Sequence, residues 1–351
     1  MYENRLNNDL EYRKEIVSSL FNRISAVESC VIVGAASMGK SRLLKHVLRQ
    51  DVQHKYLGEE ASNTFLISVD SNNLAPTAEK LSSGVSAWKI YELFLTSIVE
   101  SSRQHPLAQK HYRLLNDLRE PVILEKDALL GLRHLSLSIK VLVEEHDLRL
   151  CFLLDEFDNL YQSLPAITLS NLRALRDANK MNMCYVLFMR ETPEQVRDSG
   201  ECESFYELFS HFVFGLKPYT MSDAERMIET LEERRREKLS PDVKKALLYL
   251  SGRHPGMMMS LFRIASDEPQ LFLQQVGIKS LITKPIVIEE CGKLRDSLSS
   301  LEQQAYLDIL QGKTVSENLR KQIFLKGLIK AEHSETVSSI PIFAYYMKDD
   351  L

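Results

Sequence analysis

Gly34-Ala35-Ala36-Ser37-Met38-Gly39-Lys40-Ser41 follows the apolar run Cys30-Val31-Ile32-Val33 and precedes Arg42-Leu43-Leu44-Lys45-His46-Val47-Leu48, a helical pattern. In that setting the spacing G-x-x-x-x-G-K-S reads as a phosphate-binding loop between a strand and a helix. Glycines at both ends let the backbone curl so that successive N–H groups point inward at a phosphate chain. The helix beginning at the loop adds the positive end of its dipole. Lys40 then reaches the β- and γ-phosphate oxygens as a point charge, and the Ser41 hydroxyl stands one residue on to ligate Mg²⁺. The expected nucleotide contacts are Gly34, Ala35, Ala36, Ser37, Met38, Gly39, Lys40, Ser41 and Arg42.

The chain has 351 residues, long for one domain, so two or three domains are expected. With 44% hydrophobic residues it can build real cores, and its net charge of −4 offers no global attraction for nucleic acid or an anionic membrane. The opening Met1-Tyr2-Glu3-Asn4-Arg5 leads into a charged segment without the apolar stretch of a signal peptide. No run approaches the roughly 18 apolar residues of a spanning helix. The expectation is a soluble, cytoplasmic protein with no membrane partner. Cys30, Cys151, Cys184, Cys202 and Cys291 form no C-x-x-C pair, so small core residues are expected, not disulfides or metal ligands.

Outward from the loop, Asn8 to Ala26 reads as an amphipathic helix and Phe65 to Asp70 as a second strand. Its near-continuous apolar character suits a parallel strand covered on both faces. About 80 residues follow before the next clear strand, helical by pattern over Ala87 to Ser101, His105 to Asp117 and Lys126 to Glu145. This predicts a helical insertion over about 80–147, packed beside the sheet. The third strand, Arg149 to Leu154, ends in Asp155-Glu156, which puts two carboxylates at the carboxyl end of a parallel strand, where α/β ligand sites lie. Downstream of a phosphate loop, Asp155 is the expected Mg²⁺ partner beside Ser41, and Glu156 is placed to polarise the attacking water. A fourth strand, Met183 to Met189, ends at Arg190. From spacing alone Arg190 is either a γ-phosphate sensor or an ordinary solvated strand-end arginine. A helix over Glu201 to His211 and a strand over Phe212 to Leu216 complete a five-stranded parallel sheet with helices on both faces.

Beyond Thr220 the strand patterns stop. Ser222-Asp223-Ala224-Glu225 reads as a helix cap, with Arg234-Arg235-Arg236 near the helix end as a solvated face. Ser240 and Pro241 start a second helix, which runs into Gly252-Arg253-His254-Pro255-Gly256, and Met257 to Ala265 make a third. From about Pro285, helical patterns over Leu301 to Leu310 and Val315 to Leu328 precede two short strands. These fall at Gly327 to Ala331 and Ser339 to Phe343, around the turn Glu332 to Val337. Helix, helix and a two-stranded wing form a winged-helix pattern. The expected domains are 1–220, 221–280 and 281–351.

These features together resemble the STAND branch of the AAA+-related NTPases, from about Arg13 to Tyr346: the loop, Asp155-Glu156, Arg190, the Gly252-x-His254-Pro255 turn in a helical lid, and a terminal winged helix. The resemblance implies an α/β P-loop NTPase fold that binds ATP or ADP with Mg²⁺. It implies Lys40 and Ser41 on phosphates and metal, Asp155 supporting the metal, Glu156 as the catalytic acid, Arg190 as γ-phosphate sensor and Pro255 near the adenine. No guanine-reading Asn-Lys-x-Asp occurs. The origin-recognition type of AAA+ ATPase shares the lid and winged helix, but an arginine finger is expected late in the helix before the fifth strand. Here that helix ends Glu207-Leu208-Phe209-Ser210-His211. The full STAND plan adds an N-terminal effector domain and a C-terminal repeat array, and neither is read in these 351 residues, so the expectation is a chain that acts with separate partner proteins or one piece of a longer chain.

The function expected is a slowly hydrolysing ATP switch whose nucleotide state controls homo-oligomerisation or engagement of an effector protein. The alternative is a DNA-binding ATPase whose recognition helix carries Arg320, Lys321 and Lys326. DNA is not favoured, because residues 281–351 hold nine Lys and Arg against ten Asp and Glu, a net of −1. A nucleotide-stabilised scaffold that never turns over is the third possibility.

Overall fold

Apolar runs without polar alternation can only be satisfied by cover on both faces. Cys30–Val33 (β1), Thr64–Asp70 (β2), Arg149–Asp155 (β3), Met183–Met189 (β4) and Val213–Gly215 (β5) are such runs. In the computed structural model, which describes residues 10–73, 86–273, 277–332 and 335–349, they form one sheet in the order β2-β3-β4-β1-β5. β2, β3 and β4 pair in parallel, with Asp70 opposite Asp155 at one end of the register. Every residue of β1 and β4 is buried. All five cysteines are buried and free, Cys151 standing opposite Cys184 in adjacent strands.

The chain forms two compact units. Of the described residues, those in Val17–Ile32 and Leu44–Phe214 make one; those up to Ile16, in Val33–Leu43 and from Gly215 onward make the other. The first unit contains most of the sheet and the expected helical insertion, as Ala87–Ser102, Pro106–Gln109, Tyr112–Glu125 and Ala128–His146. Residues 80–85 of the expected insertion, and residues 8 and 9 of the expected first helix, lie outside the described residues. That first helix is Lys14–Ser25. Gly131 lets two helices of the insertion touch, since a Cβ there would lie 3.0 Å from Tyr91 Cβ. Aromatic packing links insertion and sheet, with ring centroids 5.1 Å apart for Phe94 and Phe152 and 6.4 Å for Phe94 and Tyr185.

The second unit carries the helices Met221–Arg235, Pro241–Ser251, Pro255–Asp267, Pro285–Asp296, Ser300–Leu310 and Glu317–Leu325. Strands Ile329–Glu332 (β6) and Glu335–Ser338 (β7) then pair antiparallel, and the helix Pro341–Asp349 follows. Three expectations need correction. The helix Met221–Arg235 is capped two residues earlier than Ser222, by Thr220, whose hydroxyl accepts from the Asp223 amide at 3.2 Å. The second wing strand is Glu335–Ser338, not Ser339 to Phe343. Pro341 instead opens a helix, and Ile342, Phe343 and Met347 are buried at helical spacing. Lys326 does not project from a recognition helix. It is fully buried, its ammonium 2.7 Å from the buried Glu302 carboxylate and 2.9 Å from the Ser297 carbonyl. Met257 and Met258 are buried and Met259 is half-buried, while Arg234, Arg235 and Arg236 are exposed, as expected of a solvated face. Among the described residues no helix is long and apolar enough to cross a membrane.

Candidate functional site

The loop follows β1 directly and its helix starts at Lys40 and runs to Val47. Its curl needs backbone that most side chains resist: Gly39 has φ 93° and Ser37 φ 54°. Lys40 Nζ donates to the carbonyls of Gly34 at 2.7 Å and Ala35 at 3.2 Å, so the ammonium is folded over its own loop. Ser41 is exposed at the second helical position.

The turn ahead of Pro255–Asp267 grips the other side of the loop. His254 Nδ1 accepts from the Met257 amide at 3.1 Å as the helix N-cap, which leaves Nε2 to donate to the Ala36 carbonyl, also at 3.1 Å. The Gly256 amide donates to the Ser37 carbonyl at 3.3 Å. Complete burial pushes His254 down to about 4, with the charges of Arg13 and Lys40 acting the same way. Pro255 is buried at the first position of the helix. Glu290, from Pro285–Asp296, is buried where Gly256 passes: a Cβ on Gly256 would lie 1.9 Å from Glu290 Oε1 and 2.5 Å from Ser37 Cβ. Burial raises the Glu290 carboxyl above its ordinary range. The Ala35 amide donates to the Lys326 carbonyl at 3.2 Å.

Arg13 braces the loop from the N-terminal segment. Its guanidinium donates to the carbonyls of Met38 at 2.8 Å and Lys217 at 2.6 Å and lies 4.6 Å over the Tyr219 ring. The Tyr12 and Tyr219 hydroxyls meet at 3.2 Å, and the Arg42 guanidinium lies 5.2 Å over the Tyr12 ring. A cavity of about 1230 Å³ elsewhere in this unit is lined by Tyr219, Arg253, Phe324 and Lys330 but by no residue of the phosphate loop.

The acidic residues belong to the other unit. Asp155 ends β3, and its Oδ1 accepts from the Glu156 amide at 3.1 Å. Glu156 has φ 48°, and its Oε2 accepts from Asn72 Nδ2 at 3.4 Å. Arg190 lies just past β4, its amide donating to Asp158 Oδ1 at 2.8 Å and its guanidinium 3.8 Å from Glu156 Oε2. Asp155, Glu156 and Arg190 are thus brought to one end of neighbouring strands, and Gly34 to Arg42 are brought together with Pro255 in the loop unit. Sequence reasoning missed Tyr12, Arg13, Tyr219, the His254 ring and Glu290 as loop neighbours.

The parallel sheet in the order β2-β3-β4-β1-β5, the phosphate loop after β1, the helical region and the small hairpin make this a P-loop NTPase fold. The Walker-type ATPase PABY2304 of Pyrococcus abyssi is similar in structure, with a TM-score of 0.54 at 14% identity over 96% of this chain and 95% of that one. The Aeropyrum pernix ORC2 protein, in its ADPNP–ADP complexes, matches over 96% of this chain and 93% of its own, at 15% identity and TM-score 0.47. Cdc6p of Pyrobaculum aerophilum matches over 98% and 96%, at 14% identity and TM-score 0.44. No protein-family model matches the sequence, and neither does any curated protein.

Proposed function

We propose that this chain binds ATP and hydrolyses it slowly, and that the nucleotide on the loop controls whether it assembles with its own copies or engages an effector protein. One observation carries the reading: eight residues of loop are held both by the lid turn, through Ala36 and Ser37, and by the C-terminal region, through the Ala35 amide and the Lys326 carbonyl. A loop that cradles phosphates turns its amides inward. Filling it therefore competes with Lys326 for the Ala35 N–H and moves the carbonyls that the lid turn holds. That makes a two-state element which two nucleotides bias differently.

In this reading Lys40 leaves the Gly34 and Ala35 carbonyls for phosphate oxygens. Ser41 and Asp155 offer a hydroxyl and a carboxylate, the hard oxygen donors that Mg²⁺ prefers. When bound, that ion neutralises phosphate charge. Glu156 orients water, Arg190 reports the γ-phosphate and Pro255 packs near the base, with Tyr12, Arg13 and Tyr219 flanking the loop. The expected domains 1–220, 221–280 and 281–351 correspond to nucleotide binding, lid and winged helix. The fold shared with a protein described as a Walker-type ATPase supports the nucleotide, and the STAND resemblance supports the switch.

The test is mass in solution by light scattering, with ADP and then with ATP and Mg²⁺. A larger species with ATP, trapped by Glu156→Gln and absent in Lys40→Ala, is expected. A mass and hydrodynamic radius unchanged by either nucleotide would sink the switch.

A further inference from the structure

His111, Glu145 and His146 converge on one point of the helical insertion. His111 Nε2 lies 2.8 Å from His146 Nε2 and 3.4 Å from Glu145 Oε2, and the three ligand atoms all lie within 4.8 Å of one another. His111 immediately precedes the helix Tyr112–Glu125, while Glu145 and His146 are the last two residues of Ala128–His146, before Asp147 turns left-handed at φ 50°. Both rings are partly buried and Glu145 is exposed, so solvent reaches the point of convergence.

No single proton serves all three groups at once. A neutral imidazole has one N–H and one lone pair on its two nitrogens. If His111 Nε2 donates to Glu145, it has no lone pair for His146; if it donates to His146, the exposed carboxylate is left to water; and protonating both rings sets N–H against N–H. A cation at the centre serves two lone pairs and a carboxylate at once.

We propose that His111, Glu145 and His146 bind a divalent transition-metal ion of the Zn²⁺ class, in a site separate from the phosphate loop. Two imidazoles with one carboxylate suit Zn²⁺, Ni²⁺ or Cu²⁺ and disfavour Mg²⁺ and Ca²⁺. At Zn–N lengths of about 2.0–2.1 Å, two nitrogens on one ion stand roughly 2.9–3.4 Å apart. The observed 2.8 Å needs the rings to part by only a few tenths of an ångström. The remaining positions are open to water. Such an ion would tie the start of one insertion helix to the end of the next, bracing the segment between β2 and β3.

The test uses the full chain, stripped with EDTA and kept free of nucleotide, titrated with Zn²⁺ by calorimetry and with Co²⁺ by visible absorption. One ion per chain at micromolar affinity is expected, undisturbed by millimolar Mg²⁺. His111→Gln and His146→Gln should each weaken it at least tenfold and remove the Co²⁺ band, and the exposed Glu145→Gln should weaken it less. Zn²⁺ affinity in the His111→Gln/His146→Gln double variant equal to that of the unaltered chain would overturn the site, as would no saturable binding below millimolar Zn²⁺. If a histidine variant fails to fold, Glu145→Gln decides: unchanged Zn²⁺ affinity and an unchanged Co²⁺ spectrum would overturn the three-ligand site.

Discussion

The His254 imidazole donates to the Ala36 carbonyl at 3.1 Å across 218 residues of sequence, joining the turn before Pro255–Asp267 to the phosphate loop through a ring that must stay neutral. Unfolded, a histidine titrates near 6.5; here burial first, then Arg13 and Lys40, lower it to about 4. The unfolded chain therefore takes up this proton before the folded one does. The stabilisation is whole above about pH 6.5 and is lost as pH falls toward 4, some 3 kcal/mol from this group. His254→Asn keeps a helix cap but removes the titrating ring. Urea unfolding from pH 7 to 4 should show a shallower decline for that variant, and parallel declines would refute the assignment.

Lys326 and Glu302 form a pair with no exposure to water. Removing one partner strands a buried charge, so Lys326→Met or Glu302→Gln alone should each cost about 3–5 kcal/mol in denaturant unfolding. The double variant should cost well under the sum. Since Lys326 is unavailable to DNA phosphates, Arg320→Glu and Lys321→Glu are the substitutions that test DNA binding. A salt-sensitive gel shift that they leave intact would show that this helix is not a DNA-reading surface.

Gly252 ends the helix Pro241–Ser251 at φ 55°, and a Cβ there would sit 1.7 Å from the Ser339 carbonyl oxygen. Gly252→Ala should therefore cost more than the ~1 kcal/mol of backbone strain alone. Thermal melting should show a loss of several degrees. A variant as stable as the unaltered protein would mean that helix and wing separate readily at this point.

Lys40→Ala should abolish binding of a fluorescent ATP analogue. Glu156→Gln should keep binding while slowing phosphate release by roughly 10²–10⁴-fold, the usual range for losing a proton-handling side chain. Equal turnover by Glu156→Gln and the unaltered chain would favour the scaffold that never hydrolyses.

Where chemistry is local, the sequence could be read. Apolar runs gave the strands, and one glycine-bounded loop gave the fold class, because strand burial and the loop's turn each depend on consecutive residues. Asp155, Glu156 and Arg190 were legible because strand ends in a parallel sheet face the same way. The loop's outer neighbours were not: Arg13 reaches Met38 and Lys217, and Tyr12 reaches Tyr219, by contacts that no spacing announces. His111 and His146 were hidden likewise, joined only by the way two helices pack. The segment Ser339 to Phe343 misled because Ile, Pro and Phe read alike at a strand's start and a helix's first turn, and only the continuation to Met347 separates them.

The Ala35 amide has a single hydrogen, and in this structure it points at Lys326. A ligand that takes that hydrogen and a protein that draws the Lys326 segment away would each make the other's task easier, and by thermodynamic reciprocity to the same degree. An effector would then be felt as a tighter grip on nucleotide, so that the identity of an unknown partner could be sought by watching nucleotide dissociation slow when it is added.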